Sequence, residues 1–248
     1  PYMQERYAFK DLYVQELPQI INIEAIQKAN PNVLVDALGG SGGAYWEAIA
    51  KTYKLNLTVI HSDYDPTFSF MHYDHDGKIR MDCSSSYAMA GVIDVIGSYD
   101  MAVGNDPDYD RYGIITTEGM MPANAFLTTA GAYLFNTRDW AGKGFAKSVV
   151  VTEVINRYCK DKGIEVFETP VGFKYFSPLL FDGEVGIAGE ESAGGSFLKK
   201  DGTVWTTDKD GIIMALLAME ILAVTGELPT AYYDAITDVY GKPVFGRY

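Results

Sequence analysis

Short apolar runs, glycine turns and helical stretches follow one another along the chain in a regular order. In the first half, the apolar run 33–37 leads into a glycine turn at 39–43 and then into a stretch with helical character around 45–50. A second apolar run covers residues 55–60. Strand, helix and strand joined by short links predict two parallel strands that are connected by a right-handed crossover.

The same order occurs a second time later in the chain. The runs 148–151 and 164–167 are predicted strands, and the stretch 153–162 between them is a predicted helix that ends at Gly163. This weak internal repeat predicts two α/β units built on one plan.

Each half continues to a further apolar strand that ends in an acidic loop. The run 100–104 leads into the loop 105–111, and the run 184–188 leads into the loop 189–194. In open α/β sheets, ligands collect at the carboxyl ends of the strands. We therefore expect both loops to face a cleft that two domains share.

The turn-like stretch 118–122 is the predicted boundary between these domains. We expect two similar three-layer α/β/α domains, 1–119 and 120–248, each with a mixed and mostly parallel sheet. Helices are predicted over 123–135 and 212–224. The second of these helices is apolar almost all round, so it should be buried against a sheet.

Composition narrows the classes of function. The chain has 248 residues, of which 48% are hydrophobic and 21% are charged, and its formal net charge is -13. Such acidity argues against a nucleic-acid partner, whose phosphates it would repel.

The two cysteines, Cys83 and Cys159, have no CxxC spacing and fit a reducing cytoplasm. The sequence has no apolar run of about 18 residues, the length that predicts a membrane-spanning helix. Both chain ends resemble cuts in a longer protein.

The loop after the run 100–104 has the side chains of a metal site. Asp106, Asp108 and Asp110 alternate along the sequence, and on an extended backbone such side chains leave on the same side. Three carboxylates suit Mg²⁺, which prefers oxygen ligands and keeps positions open for phosphate or water. Arg111 adds a planar fork of N–H donors that is well shaped for a phosphate.

Other interpretations of this loop stay open at this point. An EF-hand also begins with alternating aspartates, but its sixth and twelfth positions require Gly and Glu, where this chain has Arg111 and Thr117. A solvated acidic turn fits the same letters. A metal-dependent sugar phosphatase with Asp106 as the nucleophile is a third reading.

Two further loops carry candidate chemistry. Glu190, Glu191 and Ser192 lie between glycines and offer acceptors that suit the hydroxyl groups of a sugar. Lys174 could direct a positive charge at a phosphate or donate a proton. The glycine cluster 39–43 does not fit the G-x-G-x-x-G pattern of dinucleotide sites, so a tight strand-to-helix turn explains it better.

Three motifs, in order along the chain, resemble those of the α-D-phosphohexomutases. They are D-P-D-Y-D-R at 106–111, T-P-V-G-F-K at 169–174 and G-E-E-S-A-G at 189–194. Within that family, the stretches 81–85 and 208–214 are most similar to the bacterial glucose-specific phosphoglucomutases. The resemblance spans the whole chain and implies the second and third of the four domains of such enzymes.

The resemblance also implies roles for individual residues. It implies that the three aspartates of the loop 105–111 bind Mg²⁺ as the cofactor. It implies two catalytic residues, Arg111 near the phosphate and Lys174 in contact with the substrate, where the lysine assists proton transfer. The substrate-binding residues that it implies are Gly172, Glu190, Glu191 and Ser192.

The implied reaction interconverts glucose 1-phosphate and glucose 6-phosphate through a phosphoserine and glucose 1,6-bisphosphate. No stretch of this chain matches the T-A-S-H-N-P-like loop that carries the phosphoserine, or the loop that clamps the substrate phosphate. We therefore expect the chain to be inactive alone. A mannose-specific or other phosphohexomutase, and a non-catalytic module that binds sugar phosphates, remain alternatives.

Overall fold

The computed structural model describes residues 8–63 and 65–244, which contain two β-sheets. The strands of the first sheet are β1 (Val33–Asp36), β2 (Leu57–Ile60), β3 (Met101–Asn105), β4 (Tyr112–Thr116) and β5 (Gly119–Met121). They lie in the order β2–β1–β3–β4–β5. The pairs β1–β2 and β1–β3 are parallel, whereas β4 and β5 join antiparallel.

Helices cover both faces of this sheet. They are α1 (Phe9–Glu16), α2 (Ile23–Ala29), α3 (Gly43–Tyr53) and α4 (Ala90–Val95), with single turns of 3₁₀-helix at Leu17–Gln19 and Ile96–Ser98. Alternate residues of β1 enter different cores, because successive side chains of a strand point to opposite faces. Val33 and Val35 pack in the larger core, and Leu34 packs with Met89 and Val92 beside α4.

The second sheet repeats the arrangement of the first. Its strands are β6 (Gly144–Ser148), β7 (Val166–Thr169), β8 (Val185–Gly189) and β9 (Gly195–Phe197), in the order β7–β6–β8–β9. Here β6 pairs in parallel with β7 and β8, and β9 joins antiparallel. The predicted repeat and the predicted α/β class with mixed, mostly parallel sheets are confirmed.

The helices of the second half surround this sheet and extend to the first. They are α5 (Ala123–Thr137), α6 (Val154–Lys162), α7 (Ser177–Phe181), α8 (Gly211–Thr225) and α9 (Pro229–Tyr240), with a 3₁₀ turn at Phe173–Tyr175. As predicted, α8 is buried: its residues from Gly211 to Ile221 are buried, and it contacts β3 and β4 of one sheet and β9 of the other.

One predicted strand is misplaced. The run 148–151 was expected to be a strand because it is rich in valine, but β6 is Gly144–Ser148 and the valines follow it in a turn. Val149 and Val150 are 54% and 50% exposed. Inside β6, Lys147 is fully buried because Glu168 on the neighbouring strand β7 accepts a 2.7 Å hydrogen bond from its Nζ. Packing and pairing outweigh the local preference of valine for strands here.

The long apolar helix α8 also bears on membrane association. Among the described residues, no single helix is long and apolar enough to cross a membrane. The helices α8 and α9 reach such a length and composition together, but they are bent by 78° relative to each other.

Candidate functional site

Two loops at the carboxyl ends of equivalent strands meet between the sheets. The loop 106–111 follows β3, and the loop 190–194 follows β8. An antiparallel bridge joins Arg111 to Gly194, and the amide of Tyr112 donates a 3.1 Å hydrogen bond to the carbonyl of Ala193. The structure thus brings the predicted metal loop and the predicted sugar loop together through their backbones.

The glycine turn between β1 and α3 supports the first of these loops. The amide of Ser41 donates to the carbonyl of Pro107 at 2.8 Å, and a Cβ atom on Gly40 would lie 2.6 Å from the Cα of Pro107. Glycine is therefore required at position 40 because the two backbones touch. The cluster 39–43 is a strand-to-helix turn, as its sequence indicates.

The three aspartates of the loop 106–111 converge. Each of Asp106, Asp108 and Asp110 offers one carboxylate oxygen within 4.8 Å of those of the other two. The reason expected from the sequence is wrong, since the backbone is not extended here: it turns at Tyr109, whose φ is 65°. Three convergent carboxylates, one buried, one exposed and one between, form a donor set that fits a hard divalent cation such as Mg²⁺.

Arg111 is bound to the buried member of this set. Its Nε lies 2.8 Å from Oδ2 of Asp106, and its backbone amide donates to Oδ1 at 2.9 Å. Its Nη1 reaches Asp82 at 3.3 Å. Burial raises the pKa of Asp106 to about 6, although the hydrogen bonds from Arg111 oppose this rise.

Lys209 is a residue of this site to which the sequence analysis gave no role. Its ammonium forms an ion pair with Asp110. Burial lowers the pKa of Lys209, but the contact with Asp110 outweighs it and leaves that pKa above its ordinary value. The backbone beside it is fixed, because Asp210 N donates to Gly195 O and Gly211 N donates to Tyr109 O, both at 2.9 Å. The only sequence signal was its place in the 208–214 stretch.

The predicted sugar-binding residues fall into two groups. Glu190 is buried, and its Oε1 accepts a 2.8 Å hydrogen bond from the amide of Gly172, where φ is 131°. Glu191 and Ser192 are exposed. Glu191 lines a cavity of about 850 Å³ between the two halves of the chain. Lys174 is also exposed, with its Nζ 5.1 Å from the ring centre of Tyr175.

Among the described residues, Cys83 is buried beside Asp106, and His75 lines the same cavity as Glu191. The Nδ1 of His61 lies 2.8 Å from Oδ1 of the buried Asp36, next to a different cavity. Cys83 and Cys159 are both free and buried.

Two family models match consecutive parts of the chain. The model of the phosphoglucomutase/phosphomannomutase α/β/α domain II matches residues 11–119, and that of α/β/α domain III matches residues 122–240. A phosphoglucomutase from Komagataeibacter xylinus is 44% identical over 246 residues, which cover 98% of this chain and 44% of that relative. Phosphoglucomutase 1 from Drosophila melanogaster is 28% identical, with 86% and 37% covered.

Solved structures share the fold. The open form of a Paramecium phosphoglucomutase, pp63/parafusin, superposes with a TM-score of 0.75 at 20% identity and covers 94% of this chain and 42% of its own. A phosphoglucomutase/phosphomannomutase family protein from Burkholderia thailandensis gives 0.70 at 23% identity, with 94% and 47% covered. The chain spans less than half the length of the curated relatives named above. It belongs to the phosphoglucomutase/phosphomannomutase family, and its residues 11–119 and 122–240 are that family's second and third α/β/α domains.

Proposed function

We propose that this chain supplies the metal site and the sugar-binding loop of a cytoplasmic phosphoglucomutase that interconverts glucose 1-phosphate and glucose 6-phosphate. The observation that carries the proposal is the bridge between Arg111 and Gly194, which joins the aspartate loop to the Glu190 loop. The 44% identity to a bacterial phosphoglucomutase supports glucose as the sugar. We also infer that the chain divides near residue 120 into a metal-binding part, 1–119, and a sugar-binding part, 120–248.

Mg²⁺ is the proposed cofactor, held by Asp106, Asp108 and Asp110. When bound, it would supply positive charge to phosphoryl oxygens during phosphate transfer. Arg111 stands beside the aspartates as a fixed fork of donors, and Asp106 orients its guanidinium. Its role in the reaction is to position a phosphate and to neutralise part of its charge.

Glu190 is the proposed centre of sugar recognition. The amide of Gly172 donates a hydrogen bond to one of its carboxylate oxygens. The hydroxyl groups of a bound sugar would therefore meet a carboxylate whose position is already fixed. Ser192 and Glu191 present further acceptors at the surface, and Lys174 presents an ammonium that would bind phosphate or donate a proton. Contacts to hydroxyls rather than to phosphates would let the sugar bind in both orientations.

The proposed reaction needs groups that residues 1–248 do not match, namely the phosphoserine loop and the phosphate-clamping loop of the family. We therefore expect no interconversion of glucose phosphates by this chain alone. A sugar phosphatase would instead release inorganic phosphate from glucose 1-phosphate without any other domain, and an assay for free phosphate separates the two.

Amide chemical shifts during addition of Mg²⁺ and then of glucose 1,6-bisphosphate test the proposal. Mg²⁺ is expected to move the resonances of 104–111, and the sugar those of Lys174 and 189–194. The variant Asp108→Asn, which removes a charge from the exposed ligand without disturbing the buried Asp106, should weaken the Mg²⁺-induced shifts of 104–111. Wild-type spectra unchanged by millimolar Mg²⁺ would contradict the metal assignment, and sugar-induced shifts confined to other loops would contradict the sugar assignment.

A further inference from the structure

The three carboxylates of the aspartate site are not alike in their present partners. Asp106 is bound by Arg111 through both of its oxygens. Asp110 is paired with Lys209, and its Oδ1 also lies 3.8 Å from Nε of Arg111. For Asp108, which is exposed, the structure gives no ion pair within residues 8–63 and 65–244. The donor set that suits a divalent cation is therefore already partly neutralised by two side-chain cations.

These two cations differ in how easily they leave. Arg111 is fixed by its own backbone amide, by its Nε and by Asp82. Lys209 holds Asp110 through a single ammonium at the end of a flexible four-carbon stem. Its backbone neighbours are bound to Tyr109 of the aspartate loop and to Gly195 at the start of β9, so only the side chain is free to move.

The stem of Lys209 lies directly over the sugar loop. A Cβ atom on Gly194 would be 2.4 Å from Cδ of Lys209 and 3.7 Å from Oε2 of Glu190. Because Gly194 has no side chain, the stem of Lys209 has room to cross from one loop to the other. An ammonium that leaves Asp110 has the carboxylate of Glu190 within the reach of the same side chain.

We propose that Lys209 is a positioning residue that occupies the cation site in the absence of metal and couples metal binding to the sugar loop. A divalent cation at the aspartates displaces the ammonium from Asp110, and the side chain turns toward Glu190. Occupation of the metal site thereby changes the charge around the carboxylate that meets the sugar. This inference rests on the proposed metal site and assigns its regulation to one side chain.

The test measures Mg²⁺ affinity rather than turnover, using amide shifts of wild-type chain and of Lys209→Met. Methionine keeps the stem over Gly194 but removes the competing charge, so the variant should bind Mg²⁺ about tenfold more tightly. Lys209→Arg restores the charge and should return the affinity to the wild-type range. Lys199→Met is the matched control, because Lys199 lies over the ring of Trp205 instead of on an aspartate.

The sugar loop gives a second, independent readout. In the wild-type chain, Mg²⁺ should move the amide resonances of 190–194 as well as those of 104–111. In Lys209→Met, the shifts of 190–194 should be largely lost while those of 104–111 persist. Equal Mg²⁺ affinity in both proteins with unchanged coupling would overturn the role of Lys209 and leave the proposed function standing. Absence of any Mg²⁺ response in the wild-type chain would overturn both.

Discussion

Asp106 is a residue on which burial and hydrogen bonding act in opposite directions. Burial removes water from its carboxylate and raises its pKa, whereas the hydrogen bonds from Arg111 stabilise the charged form. The balance leaves a pKa of about 6. Between roughly pH 4 and pH 6, the folded chain therefore binds more protons at this group than the unfolded chain does. Its contribution to stability falls as the pH rises through that window and is constant above it.

The titration of Asp106 is directly measurable. In metal-free chain, we expect the ¹³C resonance of its carboxyl group to titrate with a midpoint of about 6. In Arg111→Met the midpoint should move to higher pH, because the hydrogen bonds that favour the charged form lose the side-chain donor. Arg80→Met, whose guanidinium pairs with other aspartates, is the control and should leave it in place. A wild-type midpoint near 4 would show that burial does not dominate.

A second prediction at this scale concerns how firmly Glu190 holds the backbone at Gly172. Glu190→Ala removes the acceptor of the Gly172 amide, so hydrogen exchange at that amide should accelerate about tenfold, the value of one ordinary hydrogen bond. Glu190→Gln keeps an acceptor oxygen and should exchange nearly as slowly as the wild type. Glu191→Ala removes the exposed neighbour and serves as the control. Unchanged exchange in Glu190→Ala would mean that other contacts hold Gly172.

The residues of the site were predictable where they lie close together in sequence. The spacing of Asp106, Asp108 and Asp110 was sufficient to propose a cation site, and Arg111 follows them directly. Lys209 was not predictable in the same way, because its partner Asp110 lies in the other half of the chain. Only the folded arrangement, in which α8 begins beside both loops, brings the two charges together.

Among the elements, α8 determines how the two loops are held at their common edge. Asp210 caps this helix by accepting hydrogen bonds from the amides of Ile212 and Ile213, each at 3.1 Å. The same half-buried carboxylate accepts from the hydroxyl of Tyr13 and from Nε1 of Trp205. The side chain of Asp210 thus joins the start of α8 to Tyr13 of α1 and to Trp205 in the segment that precedes α8.

Removal of this cap should be costly. Asp210→Ala leaves two helix amides, a tyrosine hydroxyl and an indole N–H without their acceptor, so we expect a loss of at least about 2 kcal/mol in the free energy of unfolding. Asp208→Ala removes an exposed carboxylate two residues earlier and should cost less than about 0.5 kcal/mol. Urea unfolding measures both, and equal losses would argue against a special role for the cap.

Elements with a clear local sequence pattern were predictable, whereas elements whose position depends on partners distant in sequence were not. The helix α8 follows from its apolar sequence, and the crossovers follow from the order of strand, helix and strand. The strand β6 was misplaced because Val149 and Val150 have the composition of a strand, whereas Lys147 does not. The burial of Lys147 becomes possible only beside Glu168, and that pairing belongs to the sheet rather than to the segment.

At the scale of the whole molecule, the two sheets share one core. A single cluster of buried apolar residues includes Val35 and Val103 of the first sheet, Met214 of α8, and Phe145 and Ile187 of the second sheet. Because α8 and α5 touch strands of both sheets, neither sheet can lose its cover without exposing the other. The described chain should therefore unfold in one cooperative step, and the angle between the loops of the site is fixed by this packing.

Substitutions in the buried ion pair between Arg138 and Glu220 can test whether the two sheets unfold together. Glu220 is fully buried, and its carboxylate accepts from Arg138 at 2.7 Å, from the hydroxyl of Tyr133 at 2.9 Å and from the amide of Asn22 at 2.7 Å. It thus connects α5 and α8 to the segment that precedes α2. Arg138→Met leaves this charge without its cation, which should cost roughly 3–5 kcal/mol in the free energy of unfolding.

Urea unfolding, followed by the amide resonances of β1 and β6, distinguishes a shared core from two separate ones. In Arg138→Met, both sets of resonances should disappear together at a lower urea concentration than in the wild type, because α8 lies between the sheets. The double variant Arg138→Met/Glu220→Met should recover part of the loss, since no buried charge remains. Lys242→Met, which breaks an exposed pair with Asp234, is the control and should cost at most about 1 kcal/mol. Loss of the β6 resonances well before those of β1 would show that the halves unfold separately, and the geometry of the site would then depend on an interface weaker than the one described above.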